Sequence, residues 1–420
     1  MAHCNNKILI IQAGHLVDGL GGPTKTDQAI TIENGRIQSI DPIKLVEDRL
    51  SPEMDVFDLS DFCVVPGLID AHTHLSLSGD GRTYEEMFSE SDEMMVLSGA
   101  LNMRRHLIAG ITAIREHGAR NRIGFTLKEG LSRGYIAGPR MFVSGRPITC
   151  TGGHFHFCNE IADGEEEIRK SVRRLIHEKA DYIKIMASGG GTAGTFPGRA
   201  SYSKSELQAA VHEAHRFQRL TVAHCRAKDS MVNAIEAGID LMEHAEFLDP
   251  DERCRFDPKI AEMMAESDIW ISPTLQTLTR FPRMRLFRNK LEDGSISPGE
   301  EKELKRLEEL AENHLDIVRR MLDYGMLERI VPGTDSGVPG IAFGHLDYDL
   351  ELLVRVGFSP SQAFAAATRI SAEAIGQAEE IGVIEPGKIA DLIALDGDPT
   401  IDISAVSRVK AVFIGGKQFL

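Results

Sequence analysis

The chain has 420 residues, 42% of them hydrophobic, with 47 Lys+Arg against 63 Asp+Glu and a formal net charge of −16. That length supports a large core, in two to three domains or in one large barrel with additions. The acidic balance leaves no electrostatic footprint for nucleic acid or an anionic membrane surface, and no apolar run approaches the roughly 18 residues of a membrane span.

The opening "MAHCNNKILIIQAGHLVDG" holds an apolar run of only Ile8–Ile11, too short for a signal peptide. Cys4, Cys63, Cys150, Cys158, Cys225 and Cys254 form no C-x-x-C pair and read as reduced thiols, so the expected compartment is cytoplasmic. Residues 7–65 read as β-strands, with an Asn34-Gly35 hairpin turn. The C-terminal "GVIEPGKIADLIALDGDP" and "VKAVFIGGKQF" have the same character, so both chain ends are expected to supply small strands around a different middle.

That middle alternates. Eight short apolar strands are expected at "GLIDAHTHL", "TAIREHG", "RMFVSGRPI", "YIKIMASG", "LTVAHC", "LMEHAEF", "IWISPTL" and "RIVPGTDS". Helices start between them at recognisable caps, Ser203 with Glu206 and Ser359 with Pro360 and Gln362. Eight alternations point to an α/β fold, a (β/α)8 TIM barrel, over a doubly wound sheet. The basic, then Gly/Ser-rich stretch 280–299 and the charged helix after it read as a surface excursion or as a lid over the barrel mouth.

Chemistry gathers at the ends of these strands. His72 and His74 are two apart on the first, so both rings share a face. His224 ends the fifth strand, His244 the sixth and Asp335 the eighth. In a parallel barrel those ends meet at one mouth, where four histidines and an aspartate make an N/O site for a divalent ion. Lys184 ends the fourth strand. A buried ammonium beside cations is disfavoured, and the neutral amine can capture carbon dioxide as an anionic carbamate able to bridge two metals. A lysine that reaches solvent, or pairs with a carboxylate, is the simpler alternative.

This ordered set (His72, His74, Lys184, His224, His244, Asp335) resembles the amidohydrolase superfamily. "VVPGLIDAHTH" and "GKIADLIALDGDP" resemble that family's joins between a barrel and a composite β-sandwich. "KIMASGG" and "SGRPITCTGGH" are similar to stretches of its imidazolonepropionase-like and prolidase-like (Xaa-Pro dipeptidase-like) branch. The resemblance implies a β-sandwich from residues 1–65 and 377–420 and a barrel from 66–376. It implies two divalent metal ions, usually zinc, with Lys184 carboxylated between them. Asp335 would be the catalytic residue, passing a proton from the attacking water to the leaving nitrogen.

The implied activity is hydrolysis of an amide in a small molecule, a dipeptide or an N-acyl amino acid. A deaminase or cyclic amide/imidate hydrolase is the alternative, and Lys184 argues against it because such relatives often lack it. A catalytically silent scaffold would have lost ligands, and all six positions are filled. His154 matches a position that contacts substrate, often its carboxylate, in prolidase-like relatives. Arg226, where some of these carry tyrosine, is placed to clamp a carboxylate or to form an ion pair at the rim. His156 and His345 read as loop residues, and "GGGTAG" (189–194) lacks the helix a dinucleotide cradle needs. Substrate and metal identity stay open, and so does a homo-oligomeric state.

Overall fold

The computed structural model describes residues 8–420. Both chain ends enter one seven-stranded sheet. Its members are β1 (Leu9–Leu16), β2 (Lys25–Glu33), β3 (Arg36–Pro42) and β4 (Asp55–Pro66) from the N-terminal end. The others, β12 (Leu392–Leu395), β13 (Val409–Ile414) and β14 (Lys417–Gln418), come from the C-terminal end. The order is β14-β13-β12-β4-β1-β2-β3. Strand β4 joins the two ends, parallel to β1 and antiparallel to β12 through Cys63↔Leu395 to Pro66↔Leu392. Period-two alternation sorts the side chains: Leu9, Ile11, Ile30, Ile32 and Phe413 share one buried face, while Ile10 and Ala29 face Val46 on the other. The Asn34-Gly35 turn joins β2 to β3, with both residues at positive φ (53° and 77°) as a two-residue hairpin loop requires.

The middle holds two parallel sheets. One is β5 (Leu68–Thr73), β6 (Ile111–Glu116) and β7 (Arg140–Val143). The other is β8 (Ile183–Met186), β9 (Thr221–Ala227), β10 (Leu241–Leu248) and β11 (Trp270–Ser272). Helices lie between the strands, and the expected capping boxes at Ser203/Glu206 and Ser359/Gln362 are present. Such a cap stabilises a helix by about 1 kcal/mol.

The eighth expected strand, "RIVPGTDS", is not a strand. Single parallel bridges tie it to β11 (Ile271↔Ile330) and to β5 (Thr73↔Ser336), and one more links the chain after β7 to β8 (Ile148↔Ile185). The residues explain the irregularity. Pro332 has no N–H to give, although its carbonyl accepts from Ala71 N–H at 3.2 Å. Gly333 passes so close to β5 that a Cβ would stand 2.7 Å from His72 Cβ. Asp335 turns into the left-handed region at φ 56°. Its N–H still reaches His72 O at 2.8 Å, so the segment remains registered against β5.

The excursion after β11 is helical. Phe281–Glu292 is followed by the 26-residue helix Pro298–Asp323, which starts on a Ser297/Glu300 capping box. Leu304, Leu307, Ala311, Leu315 and Val318 form its buried stripe. The segment is therefore packed into the core rather than solvated all round. No helix among the described residues is long and apolar enough to cross a membrane.

Glu116 is fully buried at the end of β6, and burial pushes its carboxyl up to about 8, only partly offset by the Gly118 N–H. Unfolded, it ionises near 4.5. The folded state therefore holds the extra proton between these values, and its stability is complete below pH 4.5 and falls as pH rises through about 8. Glu116→Gln is expected to raise the melting temperature by several degrees near pH 8 and to change little near pH 4.5. Thermal melts at the two pH values check this.

Candidate metal centre

Strand β5 is buried along its whole length. Asp70 pins it to the irregular eighth segment, accepting from Thr334 Oγ1 (2.7 Å), Thr334 N–H (3.0 Å) and His72 N–H (3.1 Å). This clamp fixes where His72 and His74 stand relative to Asp335. The result is a tight cluster: His72 Nε2 and His74 Nε2 are 3.3 Å apart, and Asp335 Oδ1 lies 3.1 Å from the first and 3.3 Å from the second.

His72 Nδ1 lies 3.1 Å from Glu243 Oε1, and the edge of the ring carrying Nε2 is turned to His74 and Asp335. Burial holds the His72 imidazole down at about 3, so it stays neutral at pH 7. Burial alone would raise Asp335, but the His72 and His74 rings more than offset it and hold the carboxylate well below its ordinary value. Two imidazole nitrogens and a carboxylate oxygen converge within 3.3 Å of one another in the buried interior, and these are ligand types that a divalent cation takes. The donor set therefore fits a divalent ion.

His244 adds to the same group. One ligand atom from each of His72, His244 and Asp335 fits within a 4.8 Å span. Its Nδ1 bonds Thr274 Oγ1 at 2.8 Å, which leaves Nε2 for the cluster. His224 sits beside it, ring centroids 4.5 Å apart, with Nε2 on Gly189 O at 3.0 Å and Nδ1 left over. His244, Asp335 and Thr274 all have positive φ, at 68°, 56° and 45°. Strained non-glycine backbone concentrated at one spot is a mark of functional sites.

Lys184 on β8 has no exposed surface, and burial lowers its ammonium to about 7. Its Nζ abuts the Glu243 carboxylate, which also meets His117 Nε2 at 2.9 Å. The structure thus brings Lys184 to the cluster and shows the carboxylate contact named above as the simpler alternative. Glu243 and His117 were missed by the strand-end pattern. The signal was present: Glu243 is a second charge within an apolar strand, one residue before His244.

All six expected ligands, with His154 and Arg226, line one cavity of about 490 Å³. His154 is buried, with Nδ1 on Thr192 Oγ1 at 2.8 Å. The glycines after β8 make room for it: a Cβ on Gly190 would stand 2.5 Å from the His154 ring, and one on Gly189 would stand 2.4 Å from the Phe196 backbone. Gly190→Ala is expected to displace that ring and cost about 1–3 kcal/mol, read as a lower melting temperature with reduced activity. No helix opens behind these glycines until Lys204, consistent with rejecting a dinucleotide cradle. His156 bonds Gly153 O, and His345 stacks on Tyr348; neither lines the cavity.

Arg226 forms the ion pair that was one of its two expected roles. Its Nε contacts Glu246 Oε2, and its Nη2 meets Oε1 at 3.1 Å. The pair uses one edge of the guanidinium and leaves Nη1 outside it. The excursion also reaches the cavity, through Arg280, Leu310 and His314.

Residues 63–419 match the sequence profile of the Amidohydrolase family. The chain is similar to ochratoxinase of Aspergillus niger, 29% identical over 451 positions covering 98% of this chain and 87% of that protein. It is also similar to imidazolonepropionase of Symbiobacterium thermophilum, 23% identical over 92% of this chain and 90% of that one. Among solved structures, it resembles a Xaa-Pro dipeptidase with bound methionine in the active site. The TM-score is 0.81 at 25% identity, covering 98% of this chain and all of that one. Aspergillus niger ochratoxinase superposes with a TM-score of 0.78 at 27% identity, covering 99% of this chain and 96% of that one. The chain belongs to the amidohydrolase family and is a hydrolase acting on carbon–nitrogen bonds.

Proposed function

We propose that this hydrolase uses two divalent metal ions, with zinc the expected identity, to cleave the amide bond of a small substrate that carries a carboxylate, a dipeptide or an N-acyl amino acid. The observation that carries the reading is the convergence of His72 Nε2, His74 Nε2 and Asp335 Oδ1 within 3.3 Å of one another, in a cavity that Lys184, His224 and His244 also line. His72, His74, His224, His244, Asp335 and a carboxylated Lys184 would hold the ions. Once bound, such ions supply a Lewis acid for the scissile carbonyl and ease loss of a proton from water.

The side chains account for the rest. Asp335 is anionic at neutral pH and takes the proton of the attacking water, then returns it to the leaving nitrogen. Glu243, 3.1 Å from His72 Nδ1, is placed to orient that ring as a neighbour of the ligand set. His154 and Arg226 bind and orient the substrate; a solved relative whose active site holds methionine supports an amino-acid moiety there. In this reading the two parallel sheets and the segment 330–336 are the eight positions of a (β/α)8 barrel. Residues 8–65 and 377–420 form the composite β-sandwich beside it; residues 1–7 of the expected domain lie outside the described residues.

Metal analysis is expected to find close to two divalent ions per chain, and a metal-free, active protein would refute the central claim. A screen of dipeptides and N-acyl amino acids should show that C-terminally amidated analogues fail. Arg226→Ala should raise KM for the free acids about 10–100-fold, the loss of one charge-assisted contact of about 1.5–3 kcal/mol. Equal turnover of acids and amides by the unaltered protein would remove Arg226 from substrate binding.

A further inference from the structure

Arg226, Glu246 and His314 form one connected set on the cavity wall, drawn from β9, β10 and the helix Pro298–Asp323. Both Glu246 oxygens are engaged: Oε2 by Arg226 Nε, and Oε1 by Arg226 Nη2 at 3.1 Å and by His314 Nε2 at 3.0 Å. The Arg226 backbone is also fixed, its N–H donating to Ser188 Oγ at 3.0 Å. From these contacts we infer that Glu246 and His314 are positioning residues that hold the Arg226 guanidinium for a substrate carboxylate, which makes the helix Pro298–Asp323 a specificity element of the site. The inference rests on the amide-hydrolase reading above and adds the means by which a free carboxylate is selected.

Three observations separate this from an ordinary structural ion pair. First, the exposed end of the pair is the arginine. Its side chain keeps 23% of its surface against 5% for Glu246, and the edge carrying Nη1 is not consumed by Glu246. Second, His314 occupies the buried stripe of its helix beside Ala311, Leu315 and Val318, where an apolar residue would pack without a desolvation cost. The ring lies within hydrogen-bond distance of two acceptors, Leu310 O (Nδ1, 2.9 Å) and Glu246 Oε1 (Nε2, 3.0 Å), and the tautomer with its proton on Nε2 donates to Glu246. The one buried histidine of that helix is thus spent on a residue that orients another. Third, a free arginine gives up about 2 kcal/mol of rotamer entropy when it is immobilised. Fixing it in the folded state removes that loss from the binding step, which is the physical content of preorganisation.

The test uses binding and turnover together. The metal-loaded protein is titrated with the L-amino acids and with their C-terminal amides, and the same acid/amide comparison is made for N-acyl substrates. The unaltered protein is expected to prefer acid over amide by about tenfold or more, and in Glu246→Gln and His314→Leu that preference should fall below about threefold. The change should appear mainly in KM. His314→Gln, whose amide can still donate to Glu246, should recover part of the preference. Melting temperatures measured alongside identify any variant that is simply unfolded, and the other variant then carries the test. If the unaltered protein prefers the acid and both folded variants keep that preference, the positioning role is overturned while the carboxylate-binding reading stands. If the unaltered protein binds acid and amide equally, or binds neither, both fall.

Discussion

Lys184→Ala is expected to fold, to retain less than half of the metal bound by the unaltered protein, and to lose about 10³-fold or more of its activity. Under the proposed bridging role, the magnitude follows from losing ions that would contribute several kcal/mol of transition-state stabilisation, at about 1.4 kcal/mol per tenfold. The residue has no exposed surface and its ammonium is brought down to about 7 by burial, so the neutral amine that reacts with carbon dioxide is accessible at physiological pH. Short carboxylates such as formate or acetate, added to Lys184→Ala, should restore part of both metal content and rate by occupying the space that the side chain leaves. The competing view is that Lys184 serves as an ammonium paired with Glu243. Under that view added carboxylates would do nothing, and Glu243→Gln would damage the protein as much as Lys184→Ala does, because it leaves a buried charge unpaired. Metal content and activity measured on both variants, with and without added carboxylate, separate the two.

Asp335→Asn is expected to lower kcat by about 10²–10⁴-fold with KM little changed, the usual effect of removing a general acid–base group. The substitution is well chosen structurally. Asp335 sits at φ 56°, a conformation that asparagine tolerates, and its N–H bond to His72 O is independent of the side chain. An amide cannot accept the proton of the attacking water, whereas the carboxylate, held well below its ordinary value, is ready to do so. Metal content must be measured in parallel, since Asp335 Oδ1 is also part of the donor set. Activity per bound metal that stays within a few-fold of the unaltered protein would take Asp335 out of proton transfer.

Much of the site is legible along the chain because strands are short and their ends are marked. His72, His74, Lys184, His224, His244 and Asp335 each stand where an apolar run breaks, and the cavity gathers all of them. Glu243 lies inside its strand, one residue before His244, and His117 ends the second expected strand as a lone histidine; what sets both apart is that His72 Nδ1, Lys184 Nζ and His117 Nε2 arrive around one carboxylate. The eighth strand was misread for a local reason. "RIV" has strand character, but Pro332, Gly333 and the left-handed Asp335 trade ladder pairing for close approach to β5. From its charge the excursion after residue 280 reads as a surface segment or a lid, and the spacing of Leu304, Leu307, Ala311, Leu315 and Val318 encodes a helix with one packed face.

By itself, then, the sequence indicated the alternation of strands and helices, the strand character of both terminal regions, and the roster of candidate metal-ligating side chains. These depend on hydrophobic period, turn chemistry and residue type, which are local and additive along the chain. Only the tertiary structure decided which groups surround the His72 and His74 rings, which carboxylate faces Lys184, and which edge of Arg226 lies outside its ion pair. Each of those depends on a distance between atoms far apart in sequence. Arg226, Glu246 and His314 meet across three elements, and a hydrogen bond between them forms or fails within a few tenths of an ångström, a margin that no one-dimensional pattern contains.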